Sequence, residues 1–154
     1  MKINGSYKLP ADPQTVWATL LDPDALAASI PGAQSLTPVG DDAYTVDLSI
    51  GVAAIRGDYS GRVVVTDREP GTSFRLVVEG KGARGSVMGS ALFTLVESKP
   101  GETEVTVWGE GDVAGLFSRV GQRLLGGMAK LLMKQFFGNM RKQVLARVKT
   151  AAAD

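Results

Sequence analysis

Apolar and polar residues alternate along the first nine positions. Ile3, Gly5, Tyr7 and Leu9 fall on one side, and Lys2, Asn4, Ser6 and Lys8 on the other. A period of two predicts a half-buried strand. Pro10 ends it, and the pattern then turns helical. Asp12-Pro13 supplies an N-cap and a proline suited to the first helical turn, and Val16, Trp17, Leu20 and Leu21 form one stripe behind it. Asp22-Pro23 repeats the device for a second short helix carrying Leu26 and Ile30, closed by Pro31-Gly32.

A meander comes next. After a strand at residues 33–38 and a turn at Gly40-Asp41-Asp42, the apolar set Tyr44, Val46, Leu48, Ile50 and Val52 alternates with polar neighbours. Ile55, Gly57, Tyr59, Gly61, Val63 and Val65 do the same, as do Phe74, Leu76, Val78 and Gly80 after the Glu69-Pro70-Gly71-Thr72 turn. Val87, Gly89, Ala91, Phe93 and Leu95 make the next inward row. Val105, Val107, Gly109, Gly111 and Val113 make the last, beyond the Lys99-Pro100-Gly101-Glu102 turn. Short turns between strands that are polar on one face predict an antiparallel sheet with one solvated side.

From about Gly115 to Thr150 the period is helical and no proline interrupts it. A helix of about 35 residues would be roughly 50 Å long, enough to cover a sheet. Advancing about 100° per residue puts Leu116, Phe117, Val120, Leu124, Met128, Leu131 and Leu132 on one arc, expected to face the sheet. Met133, Phe136, Phe137, Met140 and Val144 fall on another. They are read either as core beyond a bend at Gly126-Gly127 or as a strip for a membrane, a partner or a pocket mouth. The element order β-α-α-β6-α predicts a single α+β domain over residues 1–150, with 151–154 as a short disordered tail.

The net charge of +1 hides an asymmetry. Residues 115–150 carry eight cations and no acid, so the rest of the chain is acidic. Arg119, Arg123, Lys130, Lys134 and Arg141 form a basic stripe. A solvated helix face explains it, and so does a surface for an anionic membrane or partner in which Phe137 takes part. Nucleic acid is not expected, because the body is acidic and no recognition motif is present.

Cysteine and histidine are both absent. That removes thiolate chemistry, disulfides, the commonest general base and the commonest metal ligand. No glycine-rich phosphate loop precedes a helix; Gly80-Lys81-Gly82-Ala83-Arg84-Gly85 sits between strands. Carboxylates lie mostly on turns or the polar strand face, which suits solvation better than a hard-cation cage. Tyr59 is expected as the inward residue with a titratable head, bonded either to backbone or to a ligand carbonyl. No signal segment is visible at MKINGSYKLP and no run is long enough to span a bilayer, so a cytoplasmic protein is expected.

The inward sheet face is rich in glycine: Gly5, Gly57, Gly61, Gly80, Gly85, Gly89, Gly109 and Gly111 share parity with the apolar residues. Sheet curvature accounts for such glycines, and so does room left for a guest beneath the helix. The expected lining is Leu48, Ile50, Tyr59, Val63, Phe74, Leu76, Val78 and Phe93 from the sheet, with Leu124, Met128, Leu131 and Leu132 from the helix.

The element order resembles the helix-grip fold of the START-like superfamily. Leu9-Pro10-Ala11-Asp12-Pro13 with Val16-Trp17, Ile30-Pro31-Gly32-Ala33, Glu79-Gly80-Lys81-Gly82, and Val120-Gly121-Gln122-Arg123-Leu124-Leu125 followed by Gln135-Phe136-Phe137 are similar to the G-subunit family of carbon monoxide dehydrogenase over residues 1–145. The resemblance implies a hydrophobic pocket between sheet and helix, with no catalytic cofactor but a bound isoprenoid quinone or lipid as candidate guest. It implies an accessory role beside a molybdenum hydroxylase such as an aerobic carbon monoxide dehydrogenase, with peripheral contact at the inner face of the cell membrane. Two other classes stay open: an interaction adaptor with a vestigial pocket, and a START-like cyclase or dehydratase using Tyr59, Asp67 or an arginine.

Overall fold

The computed structural model describes residues 1–51 and 55–153. Val52 and Asp154, which the sequence places in the third strand and the tail, lie outside the described residues. The chain runs β1 (Lys2–Leu9), α1 (Pro13–Leu20), α2 (Pro23–Ser29), β2 (Ala33–Pro38), β3 (Ala43–Ile50), β4 (Gly57–Glu69), β5 (Ser73–Gly82), β6 (Gly85–Lys99), β7 (Glu102–Gly115) and α3 (Gln122–Ala153). The seven strands form one antiparallel sheet in the order β1-β7-β6-β5-β4-β3-β2. Only β1 leaves sequence order, because α1 and α2 carry the chain from one sheet edge to the other.

Both short helices start as the sequence predicts. The Asp12 carboxylate accepts from the Thr15 N–H at 2.8 Å, and Asp22 accepts from the Asp24 N–H at 3.0 Å. Each cap precedes a proline in the first turn, where a missing N–H costs nothing. Hydrogen bonding from Thr15 holds the Asp12 carboxyl below its ordinary range.

The long helix departs from expectation at its start. β7 continues to Gly115, because Gly85 and Gly115 pair at the end of the β6–β7 ladder. Gly115 has φ 74°, and a Cβ there would lie 2.8 Å from the Gly85 Cα. Residues Leu116–Arg119 then form a short 3-10 helix, and α3 begins only at Gln122. It runs unbroken through Gly126-Gly127, where the sequence allows a bend, and on to Ala153. Counting helical phase from Leu116 therefore misaligns the rest of the helix. Leu125, Met128, Phe137, Met140 and Val144 are buried, with Leu132, Met133 and Phe136 half-buried between them. The spacings of three and four make one stripe rather than two arcs.

The core sits where this stripe meets α1, α2 and the sheet. Leu9, Val16, Leu20, Phe74, Val105, Met140 and Val144 are almost wholly enclosed. An aromatic chain crosses it. Tyr7 stacks on Phe137 at 4.1 Å between ring centroids, Phe93 on Phe74 at 4.8 Å, and Trp17 meets Phe74 edge-on at 5.4 Å. Polar ties fix the helix here. Arg147 pairs with the capping Asp22 at 2.6 Å, and the Asn139 amide donates to the Ser29 carbonyl at 3.1 Å. No helix among the described residues is long and apolar enough to cross a membrane.

Candidate functional site

The nearest backbone neighbours of α3 are α2, α1 and β1. Over β3, β4 and β5 the helix stands off the sheet. That space holds a cavity of about 430 Å³, walled by Leu48, Val63, Leu76, Val78, Val87 and Phe93 and roofed by Leu132, Met133 and Phe136. A smaller chamber of about 190 Å³ lies toward the start of α3, among Ile50, Ile55, Phe117, Leu125, Met128 and Ala129. The two chambers share Met1, Leu48, Tyr59, Gly80, Val87 and Leu132. The larger one alone falls within the ~300–1,000 Å³ range of small-molecule sites.

The glycines explain how the space arises, and both readings of them hold at different positions. Gly61 pairs with Gly80, and Gly89 with Gly111, across neighbouring strands. A Cβ on Gly89 would lie 2.6 Å from the Glu110 carbonyl oxygen, and one on Gly61 2.9 Å from that of Glu79. There glycine permits close backbone approach, which coiling of the sheet requires. At Gly80 and Gly109 a Cβ would meet only ordinary contacts at 3.5 Å. At these two positions glycine leaves room. All five of these inward glycines line the larger chamber.

Polar groups in the wall are few. Ser60, Arg62, Glu79 and Glu110 border it through strand positions whose side chains are exposed on the outer face. The inward polar heads are Tyr44 and Tyr59. Tyr59 is therefore not alone, as the sequence suggests; Tyr44 shares the cavity wall, and Tyr7 points inward to stack on Phe137. The Tyr59 hydroxyl donates to the Ile55 carbonyl at 2.6 Å, the backbone-bonded alternative of the two expected. Its ring stacks on Phe117 at 5.8 Å. Burial pushes the Tyr59 phenol above its ordinary range against a smaller opposing pull from Arg84, and burial alone does so for Tyr7. Among the described residues no group of His, Cys, Asp and Glu is placed to hold a metal ion.

Of the expected lining residues, Leu48, Tyr59, Val63, Leu76, Val78, Phe93 and Leu132 border the larger chamber, and Ile50 and Met128 the smaller. Three depart. Phe74 is 1% exposed and packs in the core beneath the cavity. Leu124 and Leu131 are 55% and 43% exposed and point outward, because the stripe through Leu125, Met128, Met140 and Val144 takes the inward side of α3, and the residues that anchored the expected arc, Leu116 and Phe117, lie outside that helix. Phe137, expected on a membrane or partner surface, is 3% exposed, belongs to the core and borders the larger chamber. Its partners there are aromatic rings, one of them from β1, a contact that no local pattern encodes. Arg119, Arg123, Lys130, Lys134 and Arg141 are all exposed. The sequence missed Leu26, Ile30 and Leu36, which close one end of the larger chamber from α2 and β2. Their helical and strand periodicity was the only available signal.

A curved antiparallel sheet closed around one long helix, with an apolar chamber between them, defines the helix-grip class of START-like proteins. The chain belongs to the carbon monoxide dehydrogenase G-subunit (CoxG) family, whose sequence model matches residues 5–145. A conserved protein from Geobacillus kaustophilus is similar at 36% identity and a TM-score of 0.92, over 95% of this chain and 96% of that one. A START superfamily protein from Mycobacterium smegmatis shares the fold at 12% identity and a TM-score of 0.72, covering 94% and 97% of the two chains. The ZhuI aromatase/cyclase from Streptomyces sp. R1128 does so at 12% identity and 0.72, covering 98% and 97%. None of the curated proteins matches the chain significantly.

Proposed function

We propose that this protein is a non-catalytic binder of an apolar, quinone- or lipid-like molecule. It serves a molybdenum hydroxylase such as an aerobic carbon monoxide dehydrogenase, helping that enzyme's membrane association or its delivery of electrons to quinone. The observation that carries this reading is the chamber of about 430 Å³ with an apolar wall. Interiors pack densely, so apolar space of this size calls for an apolar occupant. Family membership supports the accessory role.

Energetics favour a ligand held by its apolar surface. Micromolar affinity corresponds to about −8 kcal/mol. At ~25 cal/mol per Å², and with about 4 kcal/mol of lost freedom to offset, roughly 500 Å² of apolar ligand surface must leave water. An isoprenoid or acyl chain has that surface. General acid–base catalysis needs a titratable group free to exchange a proton with substrate. The Tyr59 proton is committed to the Ile55 carbonyl, which argues against turnover.

Native mass spectrometry after mild extraction, followed by titration with a menaquinone analogue, tests the proposal. The expected result is a co-purified lipidic mass or saturable micromolar binding. Protein that is empty and also refuses the analogue overturns it. Val78→Phe tests the partnership, because it fills the cavity without touching the outer surface. Hydroxylase capture that survives this change would favour a pure adaptor. Turnover of a polyketide that is lost in Tyr59→Phe would favour an enzyme.

A further inference from the structure

We propose that the outer face of the sheet, from β4 to β7, is a surface on which two copies of this chain pair back to back. Cross-strand pairing sets its residues in levels. Arg62, Glu79, Met88 and Asp112 form one level, and Val64, Val77, Ser90 and Glu110 the next. Thr66, Arg75, Leu92 and Trp108 form the third. All alternate with the inward residues, so their side chains lie on the side away from the cavity. Val64, Val77, Met88, Leu92 and Trp108 are neighbours along or diagonal to these levels and make one apolar patch. Met88 and Trp108 are each 59% exposed. Single exposed apolar side chains are ordinary. A contiguous group that includes a tryptophan is the composition of an interface.

The charges around the patch select a second copy as the occupant. On β4 and β5, residues 60–66 and 73–82 carry Arg62, Arg75 and Lys81 against Glu79. On β6 and β7, residues 86–94 and 106–112 carry Glu110 and Asp112 and no cation. Among the described residues Arg62, Glu79 and Asp112 are in no ion pair. A face with one positive and one negative half complements itself under a two-fold rotation. With the axis along the strands between β5 and β6, β4 lies over β7 of the second copy. Arg62 and Asp112 share a level, so each meets the other across the axis, and symmetry makes the pair twice. The sheet curves around α3, so its outer face is convex and two copies approach most closely along that axis. Val77 and Ser90 are short there, while Arg62 and Trp108 on the flanking strands can reach across a widening gap. Four strands about 4.8 Å apart and about five residues long cover roughly 350 Å² per copy. That is small for a specific interface, so the dimer is weak, with a Kd of about 100 μM. Both chambers and α3 stay uncovered, so the pairing does not depend on any guest.

Sedimentation velocity on the whole chain, from about 10 μM to about 1 mM, tests the face. Wild-type protein is expected to pass from monomer to dimer near 100 μM, about the affinity of a small interface. Trp108→Ser should weaken pairing by about tenfold or more. Arg62→Glu removes both symmetric pairs and sets acid against acid, so it should weaken pairing by about tenfold. Arg62→Glu with Asp112→Arg reverses both signs and should return association to within about threefold of wild type. All three positions are exposed, so the melting temperature should hold. A chain that stays monomeric at the highest concentration leaves the face to a partner of another kind and overturns the proposal. A dimer that Trp108→Ser leaves intact overturns it too. So does pairing that Arg62→Glu weakens and the double change does not restore.

Discussion

The two halves of α3 meet the same sheet and do opposite things. In the second half, Phe137, Met140 and Val144 are at most 3% exposed, and Arg147 and Asn139 tie the helix to α2. In the first half, Leu125, Met128 and Leu132 look onto strands whose inward positions are largely glycine, and two chambers separate helix from sheet. One end is built to be solid and the other to be hollow. The same helix geometry serves both, because the facing residues on the sheet differ: aromatic and branched at Tyr7, Phe74 and Val105, glycine at Gly61, Gly80 and Gly109. Stability is thereby concentrated away from the proposed site, which leaves the site free to admit a guest.

Truncation is the strongest way to break this contrast. Phe137→Ala should cost about 3–5 kcal/mol, whereas Leu132→Ala, at a half-buried position, should cost about 2 kcal/mol. Urea unfolding of the two variants measures the difference, and equal costs would mean that the hollow end is as well packed as the solid one. Filling tests the same contrast from the other side. Val78→Phe should leave the melting temperature unchanged or raised while lowering ligand affinity at least tenfold, about 1.4 kcal/mol. A large drop in stability would show overpacking and no usable space.

The polar ties of the solid end should matter less. Asp22→Ala removes both a helix cap and the partner of Arg147, so it should cost about 1–2 kcal/mol. Arg147→Ala removes only a partly exposed pair and should cost under about 1 kcal/mol in the same urea series. The smallest effect is acid sensitivity at the start of α1. The Asp12 carboxyl titrates lower in the folded chain, so its contribution is present above its unfolded value of about 3.9 and is lost as pH falls through the folded value. Asp12→Asn keeps the cap, so stability measured between pH 6 and pH 2 should fall less steeply than in wild type.

Much of the fold was legible from local rules. Period-two alternation marks every strand except β2, and the paired Asp-Pro signals mark both short helices, because each rests on residues adjacent in sequence. The site was legible in kind but not in every member. Glycines sharing parity with apolar residues pointed to curvature or space, yet only the distances to the next strand distinguish Gly89, which has no room for a Cβ, from Gly80, which has. Leu124, Leu131 and Phe137 depart from expectation for a single reason: helical phase does not carry through residues 116–121, where the chain is not α-helical.

The sequence by itself determined the order of elements, the starts of the two short helices, the one-sided charge of residues 113–153 and the glycine-rich inner face. These depend on neighbours along the chain, through period, capping and turn chemistry. Tertiary structure alone decided where β7 lets go of β6, and hence which side of α3 faces inward. It also decided that Phe137 stacks on Tyr7 from the other end of the chain, and that the helix stands off β4 and β5 to leave a chamber. Such outcomes are set by contacts between residues far apart in the chain, and no local period carries that information.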